Sequence, residues 1–159
     1  MVLILMGVAG CGKTSVGRML AERLRWKYYE GDEYHPKENV EKMSNGIPLN
    51  DQDRMPWLLM LRTIIKDALS HNENIILSSS ALKEAYRKIL KVNNQIKFIY
   101  LKGSYDLIES RMKLRKDHFM KSGMLKSQFE ALEEPADAIV IDIDQPLEKI
   151  VEIILQKIK

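Results

Sequence analysis

Two hydrophobic rhythms alternate along the chain. Short apolar segments bounded by turn-forming residues fall at about 2–6, 27–30, 74–79, 97–101 and 138–142, and each predicts a strand. Between them the apolar positions take helical spacing. Leu58, Leu61, Ile64, Ile65, Ala68 and Leu69 mark one face of a helix, and Leu147, Ile150, Val151, Ile154, Leu155 and Ile158 mark another near the C-terminus. Strands alternating with helices predict an α/β fold with a parallel sheet, and the stripes themselves are core.

At 159 residues the chain predicts a single domain, 1–159, able to bury about two-thirds of its unfolded surface without cross-links. Apolar residues make up 45% and charged residues 30%, and no apolar run approaches the ~18 residues of a membrane span, so no membrane partner is expected. The first apolar run is short and leads straight into a glycine-rich loop, which reads as a strand and not as a signal peptide. The one cysteine, Cys11, can make no internal disulfide, which fits a reducing, cytoplasmic location. A net charge of +3 with no basic block or aromatic-basic alternation gives no sign of a nucleic-acid partner.

Candidate chemistry begins where the first strand stops. Gly7-Val8-Ala9-Gly10-Cys11-Gly12-Lys13-Thr14 is a glycine, four open positions, then Gly-Lys-Thr, the phosphate-loop pattern. Glycines at 7, 10 and 12 allow the tight turn and the positive φ that point successive N–H groups at an anion. Lys13 adds a mobile cation, Thr14 offers a hydroxyl to Mg²⁺, and Ser15 follows in the first turn of a helix whose N-terminus favours phosphate. The expected ligand is a nucleoside triphosphate, ATP, with Mg²⁺. Cys11 reads either as a small residue at a permissive loop position or as a thiol activated by its surroundings.

A second constellation follows the second strand in Glu30-Gly31-Asp32-Glu33-Tyr34-His35-Pro36. Glu30 and Asp32 share a face for as long as the chain stays extended, at the strand end where ligands gather in open α/β sheets. Two carboxylates beside a triphosphate suit phosphoryl transfer, one orienting the attacking hydroxyl and the other holding Mg²⁺ through water, though solvated acids at a turn would look the same. Asp51 and Asp53 resemble capping residues ahead of a proline and an apolar helix. Arg54 fits either a surface ion pair or a fork for an acidic acceptor. Ser78, Ser79 and Ser80, where many phosphate-loop proteins place an aspartate, can line a polyol pocket. Arg111, Lys113, Arg115, Lys116, Asp117, His118 and Lys121 form either a solvated helix end or a lid, roughly 111–125, that closes cations over a triphosphate.

Taken in order, GVAGCGKT, EGDEYHP, NVEKMSNGIPLNDQDRMPWL, SSSALKEAYRKIL, FIYLKGSYDLIESRMKLRKDHFM and DIDQPLE resemble the gluconokinase family, within the shikimate-kinase-like and nucleoside-monophosphate-kinase-like branch of phosphate-loop proteins. The resemblance implies a three-layer α/β/α P-loop kinase with a five-stranded parallel sheet in the order 2-3-1-4-5 and a mobile lid. It implies ATP-dependent phosphorylation of D-gluconate at its 6-hydroxyl, and a homodimer. By the same resemblance Asp32 activates the acceptor hydroxyl, while Arg54 holds its carboxylate. His35, Lys83 and Arg87 would border the sugar acid, beside the Ser80 hydroxyl already read as a polyol contact, Lys13 and Arg115 would serve catalysis, and Arg111, Gln145 and Pro146 would lie on the adenine side. Glu30, the water-mediated metal candidate, stands where many relatives carry Asp, and Cys11 where many carry Ser. A kinase for shikimate or another aldonate is the nearest rival. A nucleotide switch is disfavoured, since every Asp lacks Gly three residues on and no guanine-reading motif is present.

Overall fold

In a computed structural model, which describes residues 1–114 and 122–159, the five expected strands form one sheet. They are β1 (Val2–Met6), β2 (Lys27–Glu30), β3 (Ile75–Ser78), β4 (Ile96–Lys102) and β5 (Ile139–Asp142). Every pairing is parallel and the order is β2-β3-β1-β4-β5, as the family resemblance implies. The first strand is therefore the middle one, and all five of its residues are buried.

Burial on both faces explains why β1 is an unbroken apolar run. Leu3 and Leu5 project into one half-core with Ile76, Ile99, Leu101 and Ile141, whereas Val2, Ile4 and Met6 project into the other with Ile75, Leu77 and Phe98. The first half-core is covered by α1 (Lys13–Leu24), α5 (Tyr105–Lys113), α6 (Ser122–Ala131) and α7 (Leu147–Lys157). The second is covered by α3 (Asp51–Ser70) and α4 (Glu84–Leu90). The short α2 (Lys37–Ser44) lies over neither, and its Met43 joins Leu49 and Met124 in a small third cluster beside the phosphate loop.

The stripe read from 58 to 69 proves to be the inner face of a longer helix. Asn50, and neither Asp51 nor Asp53, is the N-cap of α3. Its side chain accepts from Asp53 N at 2.7 Å, and the Asp53 carboxylate accepts from Asn50 N at 3.1 Å. This reciprocal cap starts the helix a full turn before Pro56. Likewise the chain does not stay extended past Glu30. It tightens into a 3-10 helix at Gly31–Tyr34, so strand alternation does not carry as far as Asp32.

Candidate functional site

The phosphate loop leaves the carboxyl end of the central strand, between neighbours β3 and β4, where the direction of strand order reverses and a crevice opens. Gly10 and Gly12 hold φ of 81° and 99°, values that an L side chain rarely adopts, and Gly12 is the N-cap of α1 with no side-chain cap. The first amides of α1 are thus left for a ligand. Lys13 Nζ donates to Gly7 O at 2.8 Å and Val8 O at 3.0 Å, so the lysine spans the loop from inside. Cys11 is buried in the core under the loop, which favours the packing reading of that residue over the reactive one.

The two carboxylates part company at the end of β2. Glu30 turns toward the loop: its Oε2 accepts from Thr14 Oγ1 at 2.5 Å and lies 2.8 Å from the Tyr28 hydroxyl, while Oε1 accepts from Ser78 Oγ at 2.8 Å. Tyr28 is 2.9 Å from Ser78 as well. Burial and the Glu30 charge raise the Tyr28 phenol far above its ordinary range, so it stays a donor. Tyr28 shares the Glu30 face of β2 by simple alternation, a signal available in the sequence.

Asp32 instead faces a narrow pocket with His35, Arg54 and Ser80, which Lys13 and Ala9 of the phosphate loop border on the far side. Met43, Leu49 and Gln128 complete the lining, and Gln128 Oε1 accepts from Ala9 N at 2.7 Å, tying α6 to the loop. Arg54 is fixed by Leu49 O at 2.8 Å and by the Tyr86 hydroxyl at 3.2 Å. Tyr86 and Lys83 both bond Asp51, which holds the Asp51 carboxyl below its usual range. Lys83 therefore stands behind the pocket, on the Tyr86 side of Arg54.

His35 is stacked on Trp57, with ring centroids 4.1 Å apart, and only 4% of its side chain is exposed. Burial first, and the Arg54 charge second, lower its pKa to about 4. Asp32 does not reverse this, because Oδ1 is 4.0 Å from Nε2, beyond hydrogen-bond reach, and its side chain is half exposed. The sign of the pH effect follows. The unfolded ring titrates near 6.5 and the folded ring near 4, so the unfolded chain gains a proton first as pH falls through that window. Stability should drop by about 3 kcal/mol between pH 7 and 4 on this account, at ~1.4 kcal/mol per pKa unit. Urea titrations of wild type and His35→Gln at both pH values would read it. An equal drop in the two proteins would remove His35 as its source.

Other expected residues also sit elsewhere. Arg87 is buried and its guanidinium is spent on Ala81 O at 2.8 Å, Glu133 O at 2.7 Å and the Glu84 carboxylate, so it braces the chain behind the pocket and does not line it. Of the three serines only Ser80 borders the pocket: Ser78 serves Glu30, and Ser79 Oγ is buried with no hydrogen-bond partner among the described residues. Replacing Ser79 by Ala should therefore stabilise the protein by about 1 kcal/mol, since it removes an unpaid desolvation. A higher urea midpoint checks this, and a lower one would show that the hydroxyl has a partner. On the other flank, Arg111 Nη2 donates to Ile143 O at 2.9 Å, beside Gln145 and the α7 N-cap Pro146. Arg115 and the 115–121 part of the expected lid lie outside the described residues.

Sequence reasoning missed Asn39, Trp57, Tyr86 and Gln128. Trp57 is wholly buried and donates from Nε1 to Gly31 O at 2.8 Å, which anchors the turn that carries Asp32.

The shikimate kinase family model matches residues 9–159. The thermoresistant gluconokinase of Escherichia coli (strain K12) is 46% identical, over 99% of this chain and 93% of that protein. Among solved structures, an unliganded sugar kinase from Janibacter sp. HTCC2649 aligns with a TM-score of 0.91 at 36% identity, over 98% of this chain and 92% of its own. A gluconokinase from Sinorhizobium meliloti 1021 aligns with a TM-score of 0.85 at 41% identity, over 95% and 87%.

Proposed function

Since this chain belongs to the gluconokinase family, we propose that it transfers the γ-phosphoryl group of ATP to the 6-hydroxyl of D-gluconate, giving 6-phospho-D-gluconate and ADP. The observation that carries the reading is the meeting of a phosphate loop with an acid, a neutral imidazole, a hydroxyl and a fixed guanidinium around one pocket. A polyhydroxy acid needs that set: a cation for its carboxylate, donors for its hydroxyls and a base for the one that attacks.

The loop amides from Gly10 to Ser15 would hold the phosphates, and Lys13 would move from the loop carbonyls to the transferring phosphoryl oxygens. Arg54, its plane set by Leu49 O, would fork onto the substrate carboxylate. His35 and Ser80 would meet sugar hydroxyls. Asp32 would orient the 6-hydroxyl and accept its proton as that oxygen bonds to phosphorus and the bond to the bridging oxygen breaks toward ADP. Arg111 with Gln145 and Pro146 would flank the adenine. Lys83 supports the pocket through Asp51 and Tyr86.

The residues present fit Mg²⁺. Thr14 gives its proton to Glu30, so its lone pairs remain for a hard cation, and no group of three His, Cys, Asp or Glu side chains among the described residues competes for a softer one. When bound by Thr14, with Glu30 acting through water, Mg²⁺ would offset charge on the β- and γ-phosphates.

An ADP-release assay with gluconate, shikimate and other aldonates tests the substrate. Turnover of gluconate well above the rest is expected, and preference for shikimate would overturn the assignment. Family resemblance further supports one domain over 1–159 acting as a homodimer, which sedimentation would read. The same resemblance supports a cytoplasmic enzyme. No helix among the described residues is long and apolar enough to cross a membrane.

A further inference from the structure

Asn39 plays no part in the reading above, yet it is buried to 3% exposure on α2 and both hydrogens of its amide group are committed. Nδ2 donates to the backbone carbonyl of Asp53 at 2.8 Å and lies 3.2 Å from Nδ1 of His35. The Asp53 carbonyl can only accept, so the amide must present nitrogen, and not oxygen, on that side. That same nitrogen faces the imidazole. Nδ1 must then be the unprotonated, accepting nitrogen, and the ring's one proton must sit on Nε2, the atom nearer to Asp32.

We propose that Asn39 is a positioning residue that locks His35 as the neutral Nε2–H tautomer, so that the ring is a fixed hydrogen-bond donor to an acceptor hydroxyl and never a base. The inference rests on the acceptor-site reading for its purpose but not for its geometry. The described surroundings of the ring agree with this. Trp57 of α3 covers its face, Arg54 of the same helix adds positive charge, and Lys13 of the phosphate loop borders the same pocket. Among the described residues the one acid near the ring is Asp32, half exposed and 4.0 Å away, while the Asp53 carboxylate is occupied by Lys42 at 2.9 Å. A second ring proton would have to enter at Nδ1, against the Asn39 N–H. The consequence is a division of labour in which Asp32 alone takes the proton and His35 only holds an oxygen in line.

Two measurements decide it. Nitrogen-15 spectra of the imidazoles, with the His35 signals assigned by their loss in His35→Gln, report the tautomer directly. The expected pattern is a protonated Nε2 and a bare Nδ1, unchanged from pH 8 to pH 5.5. A protonated Nδ1 in the wild-type protein at pH 7 would overturn the proposal. The spectrum needs no acceptor, so it stands or falls apart from the assignment of gluconate as substrate. The second measurement compares His35→Gln, whose amide N–H can replace Nε2–H, with His35→Asn, whose shorter amide reaches only the Nδ1 position. Glutamine should keep the acceptor KM within about threefold of wild type and asparagine should raise it about tenfold, with the KM for ATP unmoved in both, the span of one hydrogen bond to a buried group. Equal losses in the two variants would count against a donor at Nε2. Asn39→Asp, which puts an acceptor opposite Nδ1, is expected to move the ring proton to Nδ1 in the same spectrum, and a spectrum unchanged from wild type would exclude Asn39 as the lock.

Discussion

Asp32→Asn should lower kcat by about 10²–10⁴-fold while ATP binding stays within about twofold of wild type, the range associated with loss of a positioned general base. The asymmetry follows from where the carboxylate stands. Asp32 lines the pocket with Arg54, His35 and Ser80, and it is Glu30 that bonds Thr14 of the phosphate loop. The amide keeps the shape and can still accept a hydrogen bond from a hydroxyl, but it cannot take the proton. Titration calorimetry with a non-hydrolysable ATP analogue gives the binding arm and single-turnover kinetics gives the chemical one. Activity close to wild type would strip Asp32 of its role, and equal loss of ATP affinity would place it with the nucleotide.

Trp57→Ala should cost about 4 kcal/mol, near the upper end for truncating a fully buried aromatic ring and a large share of a domain's total stability. Three contacts go at once. The indole fills the half-core under β1 and β3, its N–H satisfies the carbonyl of the buried Gly31, and its face supports the imidazole of His35. The carbonyl left unsatisfied adds to the cavity. Urea denaturation at pH 7 measures the loss. Trp57→Phe, which keeps most of the packing but not the N–H, should fall well short of that cost and still raise the acceptor KM, because the turn that carries Asp32 loses its tether. If the phenylalanine variant bound acceptor normally, the tether would be irrelevant to the site.

How far the sequence could be read depends on the kind of contact involved. Val2–Met6 and the phosphate loop were legible because an unbroken apolar run followed by glycines at fixed offsets is local information. The strand order needed the family resemblance, since it depends on which strands meet across the chain. Asp51 and Asp53 look as much like caps as Asn50 does, because a reciprocal cap is a matter of which side chain turns back. Arg87 looked like a substrate ligand in its motif, yet its partners are the carbonyls of Ala81 and Glu133, one of them forty-six residues away, and nothing local announces them. Asn39 was invisible for the same reason: its importance lies in the Asp53 carbonyl and the His35 ring, which only folding brings to it.

The hydroxyls around Glu30 bear on how this family's sequences can change. Thr14, Tyr28 and Ser78 all converge on one carboxylate at the length of a glutamate arm. Shortening Glu30 to Asp withdraws the acceptor from all three together, so the exchange is a poor single step. It becomes tolerable once position 28 or 78 has already changed, and the effects of the separate substitutions will not add. Position 30 is thus coupled physically to residues two and forty-eight places away, and a chain with Asp there would need a different neighbourhood around it.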